Sequence, residues 1–481
     1  MNFTKLAASF VLVASTVAVF AQDYPHAQQP WTHIATPPLR GFHPAKPTRI
    51  QLPNGVQIFL EEDHELPFIS GFIRVRGGAR DEPADKLGLV SLYGQAWRTS
   101  GTSSTPGDQL DDQLALKAAS IETGGGQAST YVTWNSFTKD FDSTFASAID
   151  LLLHPKFQEQ KVELAKRSMM TSILRRNDDA ASIAAREAVE IAYGRTNPYG
   201  REAQLATVSS ITLDDLDAWH KRTVVGSNLI VGLVGDFDSK EVEAKLKAAF
   251  EPIPRGEKLP APVVTFSAPK PGVYFAAKSD VDQSNIYLVG LGTEQSNPDY
   301  YALTVMNEIF SGGFASRVVQ NVRTRLGLAY DVGGSFGAAY DHPGLFAINA
   351  GTRSNKTVAA TQAILDEVRK LRTEPPTEAE LRRAKDDLLN SFVFRYDDTE
   401  KILGEQVTLA VYDYPADFLE RYRTGVEKVT VADIERVAQK YVQPEKLATV
   451  VVGNPAEIDP PLTNLGPVTK LDIAIPGAPK E

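Results

Sequence analysis

Residues 211–235 read ITLDDLDAWHKRTVVGSNLIVGLVG, and residues 429–453 read VTVADIERVAQKYVQPEKLATVVVG. The two stretches correspond without a gap at an offset of 218 residues, from 211 to 429 and from 235 to 453. Each opens on Thr-x-x-Asp, Thr212/Asp215 and Thr430/Asp433, a pattern in which hydroxyl and carboxylate reciprocally satisfy free N–H groups at a helix start. Leu213, Leu216 and Trp219 match Val431, Ile434 and Val437 on one helical face. Closing strands follow at Leu229–Val234 and Leu447–Val452, ending on Gly235 and Gly453. Agreement in capping, spacing and terminal glycine reads as a duplicated domain.

Between the two copies lie Pro252, Pro254, Pro260, Pro262, Pro269 and Pro271, a composition expected of a semi-rigid linker over 252–271. It separates an N-terminal domain, 48–251, from a C-terminal domain, 272–457. The first opens on a hairpin, Arg49–Leu52 and Val56–Leu60 around Pro53-Asn54-Gly55, with Phe68–Val75 as the next strand. Helical periodicity is expected over Asp142–Leu153, Glu159–Arg176, Ala181–Ala192, Asp299–Phe310, Lys356–Leu371, Glu378–Phe392 and Ile402–Val411. Strict strand–helix alternation is absent. The expected class is therefore α+β, two homologous domains, each an antiparallel sheet with helices packed on one face.

Outside the repeats, Lys5 precedes an apolar run from Leu6 to Phe20, and Val19-Phe20-Ala21 suits cleavage before Gln22. The run is short for a membrane span. Residues 1–21 are expected to be a signal peptide, the chain exported to the periplasm or cell envelope, and the mature chain free of transmembrane segments. Residues 22–47, proline-rich, read as an extended arm, and 458–481 as a proline-rich tail. Both would suit subunit docking.

Among 481 residues, 50 Lys+Arg against 60 Asp+Glu give a net charge of −10, which argues against a nucleic-acid or anionic-lipid partner. With no cysteine, disulfides, thiolate catalysis and Cys-ligated metals are excluded. Seven histidines are present, and no two lie three to five residues apart, so no helical His pair exists for zinc.

Three stretches could carry chemistry. Glu122–Gln127, ETGGGQ, lacks the Lys-Ser/Thr of a phosphate loop and reads as a flexible turn before the strand Ala128–Trp134. Ser311–Arg317, SGGFASR, breaks one helix and starts another that carries Arg317 and Arg323 and ends at Gly327, before a strand Ala329–Phe336. Arg323 and Tyr330 could face one cleft and offer donors to a polarised peptide carbonyl; spacing alone favours instead an exposed helical Arg and a core Tyr. The third, Gly78-Ala79-Arg80-Asp81-Glu82-Pro83 followed by Gly88–Gln95, is a turn and helix with Ser91 and Gln95 on one face.

Together these pieces resemble the pitrilysin–insulinase family of zinc peptidases, whose branches include mitochondrial processing peptidase and two-subunit bacterial enzymes. The Pro53-Asn54-Gly55 hairpin, the GARDEP turn, Gly88-Leu89 and Thr99–Thr102 resemble the family's opening, and SGGFASRVVQNVRTRLGLAY its C-terminal segment. Active members place His-x-x-Glu-His on the helix after Gly-Leu, where two histidines hold zinc and the glutamate activates water. Here those positions are Ser91, Gly94 and Gln95. A third, acidic ligand would come from near Glu163, a residue that reads as a solvated helical one. The resemblance thus implies no metal in this chain.

It also implies a role for Arg323 and Tyr330, which stand where the family carries an Arg/Tyr pair that binds substrate and stabilises the tetrahedral intermediate. Gly312, Gly313 and Phe314 are the accompanying substrate-binding positions. The implied molecule is the zinc-less half of a clam-shell heterodimer acting on peptides or unfolded proteins, inactive alone, with zinc in a homologous partner subunit. The alternative is a structural or peptide-binding homologue without catalysis.

Overall fold

The computed structural model describes residues 46–479; the expected signal peptide and nearly all of the arm lie outside these residues. The first half builds a sheet from β1 (Thr48–Gln51), β2 (Gln57–Glu62), β3 (Phe68–Arg76), β4 (Ser120–Gly125), β5 (Ser129–Phe137) and β6 (Leu229–Gly235). The second half contains β7 (Gly272–Ala277), β8 (Gln283–Leu291), β9 (Thr293–Glu294), β10 (Asp331–Phe336), β11 (Ala338–Ala339), β12 (Leu345–Arg353), β13 (Ala448–Gly453) and β14 (Val468–Lys470). Strand order is β1-β2-β6-β3-β5-β4 in one sheet and β14-β7-β13-β8-β12-β10 in the other, with β9 and β11 paired separately. Five strands of each sheet therefore superpose in order. In both, the closing strand of the repeat (β6, β13) runs parallel to one neighbour and antiparallel to the other.

Both repeat helices begin as their sequences require. Thr212 accepts from the Asp215 N–H and Thr430 from the Asp433 N–H, each at 3.2 Å, with each Asp carboxylate returning to the Thr N–H. Side chains alternate along β5 and β12, every second residue entering the core. In the first half that core joins Ile73, Val132 and Val231 to Tyr93 and Trp97 of helix Leu89–Ser100, and to Leu246 and Phe250 of helix Ser239–Phe250.

The opposite faces are covered by exchange. Helix Thr399–Val411, from the second half, lays Leu403, Val407, Ala410 and Val411 on Phe59, Phe72, Ile230 and Val234 of the first sheet. Helix Ala180–Tyr193, from the first half, lays Ala184, Ala188 and Ala192 on Val289, Ala448, Val450 and Val452 of the second. The two helices end at the same 218-residue offset, 193 and 411, so they are equivalent members of the two repeats. This explains why β6 and β13 are buried along their whole length. Arg76 fastens one crossing helix by donating to the Ala410 carbonyl (2.7 Å) and pairing with Asp413 (2.9 Å).

A buried junction joins the halves. Arg80 of the GARDEP turn pairs with Asp341, whose carboxylate also accepts from the Tyr199 hydroxyl at 2.9 Å. His342 stacks on Tyr199 with centroids 3.8 Å apart. The C-terminal stretch expected as a tail instead completes the second sheet: β14 runs parallel to β7, and Leu462 is buried against Val273 and Phe275. No helix among the described residues is long and apolar enough to cross a membrane.

Candidate functional site

The helix at the degenerate zinc motif is set by the GARDEP turn. The buried Glu82 carboxylate accepts from the N–H groups of Gly88 (3.1 Å) and Val90 (2.7 Å), closing the start of helix Leu89–Ser100. Burial raises the Glu82 pKa, and these two donors pull it back. On the outer face Gln95 Nε2 donates to Ser91 Oγ at 3.3 Å, and both residues are exposed. Gly94 faces inward. A Cβ there would lie 2.6 Å from the Gly124 carbonyl carbon and 2.7 Å from Gly124 Cα and Gly125 N. The position at which active members carry glutamate cannot hold even a methyl group here without moving backbone.

The same contact corrects the reading of ETGGGQ. Gly124 and Gly125 are not a flexible turn but the end of strand β4, where a helix touches the strand backbone to backbone. Thr123 Oγ1 donates to the Gly94 carbonyl at 2.6 Å, and a Cβ on Gly125 would strike Val90 at 2.4 Å. Glycine is needed for close approach rather than for chain freedom. Glu163 pairs with Lys166 at 3.0 Å and is half exposed. Among the described residues no group of three or more His, Asp or Glu could hold a metal ion. The amide, hydroxyl and glycine of the motif helix do not fit zinc.

In the second half the equivalent region is elaborated. Helix Tyr300–Ser311 ends at Gly312, and Gly313 takes a φ of +67°. Ser311 Oγ donates to the Gly334 carbonyl of β10 at 2.6 Å, tying the helix end to the sheet. Arg317 then anchors the turn. Its guanidinium forks onto Glu380 (2.7 and 3.0 Å) and reaches the Glu374 carbonyl (2.9 Å). That hydrogen-bonded cation, with the N–H of Thr377, holds the Glu380 carboxyl down at about 2.

After this anchor the chain widens into a π-helical turn, Val319–Arg325, closed by the Leu326 N–H on the Asn321 carbonyl at 3.0 Å. Gly327 follows at a φ of +61°. The result brings Arg323 to Tyr330. Its guanidinium carbon sits 5.3 Å from the Phe314 ring centroid and 5.8 Å from that of Tyr330, within cation–π range of both. Phe314 is 74% exposed and Tyr330 84%. Tyr330 is thus not the core residue that spacing alone favoured. Ring-face contact leaves guanidinium N–H groups and the phenol available at an accessible surface.

The first half has no such pair. β4 and β10 begin 211 residues apart, at 120 and 331, as do the helices at 89 and 300. At that offset Asp112 and Ala119 stand opposite Arg323 and Tyr330.

A feature that sequence reasoning missed lies along the crossing helix Thr399–Val411. A cleft of about 600 Å³ lies away from Arg323, between the β2–β3 loop and the start of this helix, among Asp63, Glu65, Leu66, Asp398, Glu400 and Lys401. Residues that far apart in sequence meet only because the helices are exchanged. No local pattern announces them.

With this geometry in place, comparison with known proteins is informative. The family model described as "Peptidase M16 inactive domain" matches residues 210–388. An uncharacterized zinc protease of Streptomyces coelicolor is 26% identical over 414 residues, 81% of this chain and 86% of that one. Through residues 210–388 the chain is similar to the M16 peptidase inactive domain. A non-peptidase homolog of Helicobacter pylori is 24% identical over 407 residues, 83% of this chain and 92% of that one. A crystal structure of a peptidase M16 inactive domain from Pseudomonas fluorescens superposes with a TM-score of 0.78 at 21% identity, covering 85% of this chain and 98% of that one. A protease from Helicobacter pylori gives a TM-score of 0.74 at 18% identity, over 85% and 100%. Where the resemblance to the family places its metal motif, this chain carries Ser91, Gly94 and Gln95.

Proposed function

We propose that this chain is the zinc-less subunit of an exported two-chain M16 peptidase and lends Arg323 and Tyr330 to a hydrolytic centre whose zinc is held by a homologous partner. The observation that carries this reading is the pair itself: Arg323 lies against Tyr330 at an exposed surface, in the half that does not carry the lost metal motif. A peptide adds as an extended strand to a sheet edge, with the Gly312-Gly313 turn and the exposed Phe314 beside it. The scissile carbonyl then meets donors at the point where negative charge develops, while water activation belongs to the partner. Export rests on Lys5 and the apolar run Leu6–Phe20.

The test is co-expression with a neighbouring M16 chain carrying His-x-x-Glu-His, followed by peptidase assay of each chain alone and of both together. Activity only in the pair supports the proposal, and full activity of the partner alone removes it. The second reading, a non-catalytic structural or peptide-binding homologue, is favoured by the printed name of the Helicobacter pylori relative, a non-peptidase homolog. It predicts a stable pair whose turnover ignores Arg323.

A further inference from the structure

Three arginines lie on or just after β3, and two of them are fastened. Arg76 donates to the Ala410 carbonyl and pairs with Asp413, and Arg80 pairs with Asp341. Arg74 is different. It is half-buried, yet among the described residues its guanidinium has neither a hydrogen bond nor an ion pair. It lies over the Tyr131 ring, with the guanidinium carbon 5.0 Å from the centroid, within cation–π range. Besides burial, the groups acting on its charge are the phenols of Tyr131 and Tyr412, not a carboxylate.

Arg74 lines a cavity of about 410 Å³ on the outer face of the first sheet, a size within the range of small-ligand sites. Strand register builds its floor. Arg74 stands opposite Tyr131, Phe72 opposite Thr133 and Ser70 opposite Asn135, so alternate residues of β3 and β5 share one face. Asn135 Nδ2 donates to Ser70 Oγ at 2.7 Å, which leaves the Ser70 hydroxyl hydrogen to donate onward. The Thr133 hydroxyl has no partner among the described residues. Glu400 reaches the rim from helix Thr399–Val411 without pairing with Arg74.

Donors therefore exceed acceptors in this cavity. Ring contact occupies a face of the guanidinium and leaves its forked N–H edge, which matches the two oxygens of a carboxylate. A lone cation, with the Glu400 carboxylate nearby, suits a monoanion better than a dianion such as phosphate. We infer that this cavity binds the carboxylate of a peptide, taken by Arg74 with the Thr133 and Ser70 hydroxyls beside it. That the carboxylate belongs to a peptide rests on the function proposed above; the preference for a monoanion does not.

The experiment titrates the full chain, without a partner, by calorimetry. The probes are N-acetyl-pentaalanine with a free C-terminus, its C-terminal amide, and the same amide with glutamate at the central position. At least one acid should bind at least about tenfold more tightly than the plain amide, the scale of one charge-assisted hydrogen bond. Preference for the free C-terminus assigns the site to a chain end, and preference for the glutamate peptide assigns it to a side chain. Arg74→Gln should abolish the preference and leave the plain amide unchanged. Should that variant melt lower, Arg74→Lys replaces it and should bind the preferred acid at least about threefold more weakly than the parent, the loss of one fork contact. Equal binding of acids and amide, a preference that survives the substitution, or inorganic phosphate competing at lower concentration than the acids overturns the site. Carboxylate binding by the lone chain with no activity in the assembled pair would instead sink the catalytic reading and leave the site standing.

Discussion

Replacing Gly94 by alanine sets two effects against each other. Alanine in a helix interior is favoured over glycine by about 1 kcal/mol. The new Cβ, however, would lie 2.6–2.7 Å from three backbone atoms of Gly124 and Gly125, where carbon contacts require roughly 3.5 Å. Helix Leu89–Ser100 and β4 would have to part by close to ~1 Å. That movement stretches the bond from Thr123 Oγ1 to the Gly94 carbonyl, 2.6 Å, and the bond that Thr123 Oγ1 accepts from the Arg98 N–H, 3.1 Å. Overpacking of this kind costs about 1–3 kcal/mol, and rigid backbone places it at the upper end. The net loss is then about 2 kcal/mol, a fall in melting temperature of roughly 4–8 °C for a domain of this size. The matched control is Ser91→His with Gln95→His: both sites are exposed, and the change should stay within about 0.5 kcal/mol. Differential scanning calorimetry distinguishes the two. A Gly94→Ala variant that melts at or above the parent would show that the contact is slack, and restoring the whole metal motif would then become feasible.

Other perturbations follow from the same structure. Arg80→Ala leaves the partly buried Asp341 without its cation and should cost about 3 kcal/mol in urea unfolding, the lower end for breaking a buried pair; a loss below ~1 kcal/mol would mean the junction is solvated. His220 is half-buried beside Tyr93, whose hydroxyl lies 2.8 Å from Nδ1, and the loss of solvent around the ring pushes its pKa down to about 4. The folded state therefore resists protonation that the unfolded chain accepts near pH 6.5. Stability held above pH 6.5 should fall by up to about 3 kcal/mol as pH drops towards about 4, and a pH series of urea midpoints should be flatter for His220→Asn. Phe314→Ala removes one of the two rings near Arg323; it should weaken peptide binding by the assembled pair severalfold, on the ~0.5–1 kcal/mol scale of an exposed cation–π contact, without changing the melting temperature.

Much of this architecture is legible in the chain. The repeated Thr-x-x-Asp boxes expose the duplication because a capping box is local, specified within four residues. Expected helices at Asp142–Leu153 and Lys356–Leu371 are found at Phe141–Leu153 and Thr357–Thr373, since a one-sided apolar stripe marks a helix whatever covers it. What covers it is another matter. The stripes of Ala180–Tyr193 and Thr399–Val411 do not say that each helix packs on the other half's sheet. ETGGGQ was opaque for a different reason: a strand that admits helix backbone is written as missing side chains, the same signature as a turn. At the candidate site Arg323 and Tyr330 could be named from the family resemblance, but Phe314 as a ring against the guanidinium depends on the π-helical turn.

Steady-state peptidase kinetics of the assembled pair, parent against Arg323→Ala, bears most directly on whether this molecule supplies oxyanion donors to a metal it does not own. The account predicts a fall in kcat of at least ~10-fold for Arg323→Ala, and a comparable fall for Tyr330→Phe, with the pair still assembled and zinc content unchanged. Unaltered kcat in both variants would contradict it, and would leave a chain whose contribution to the family's chemistry is structural.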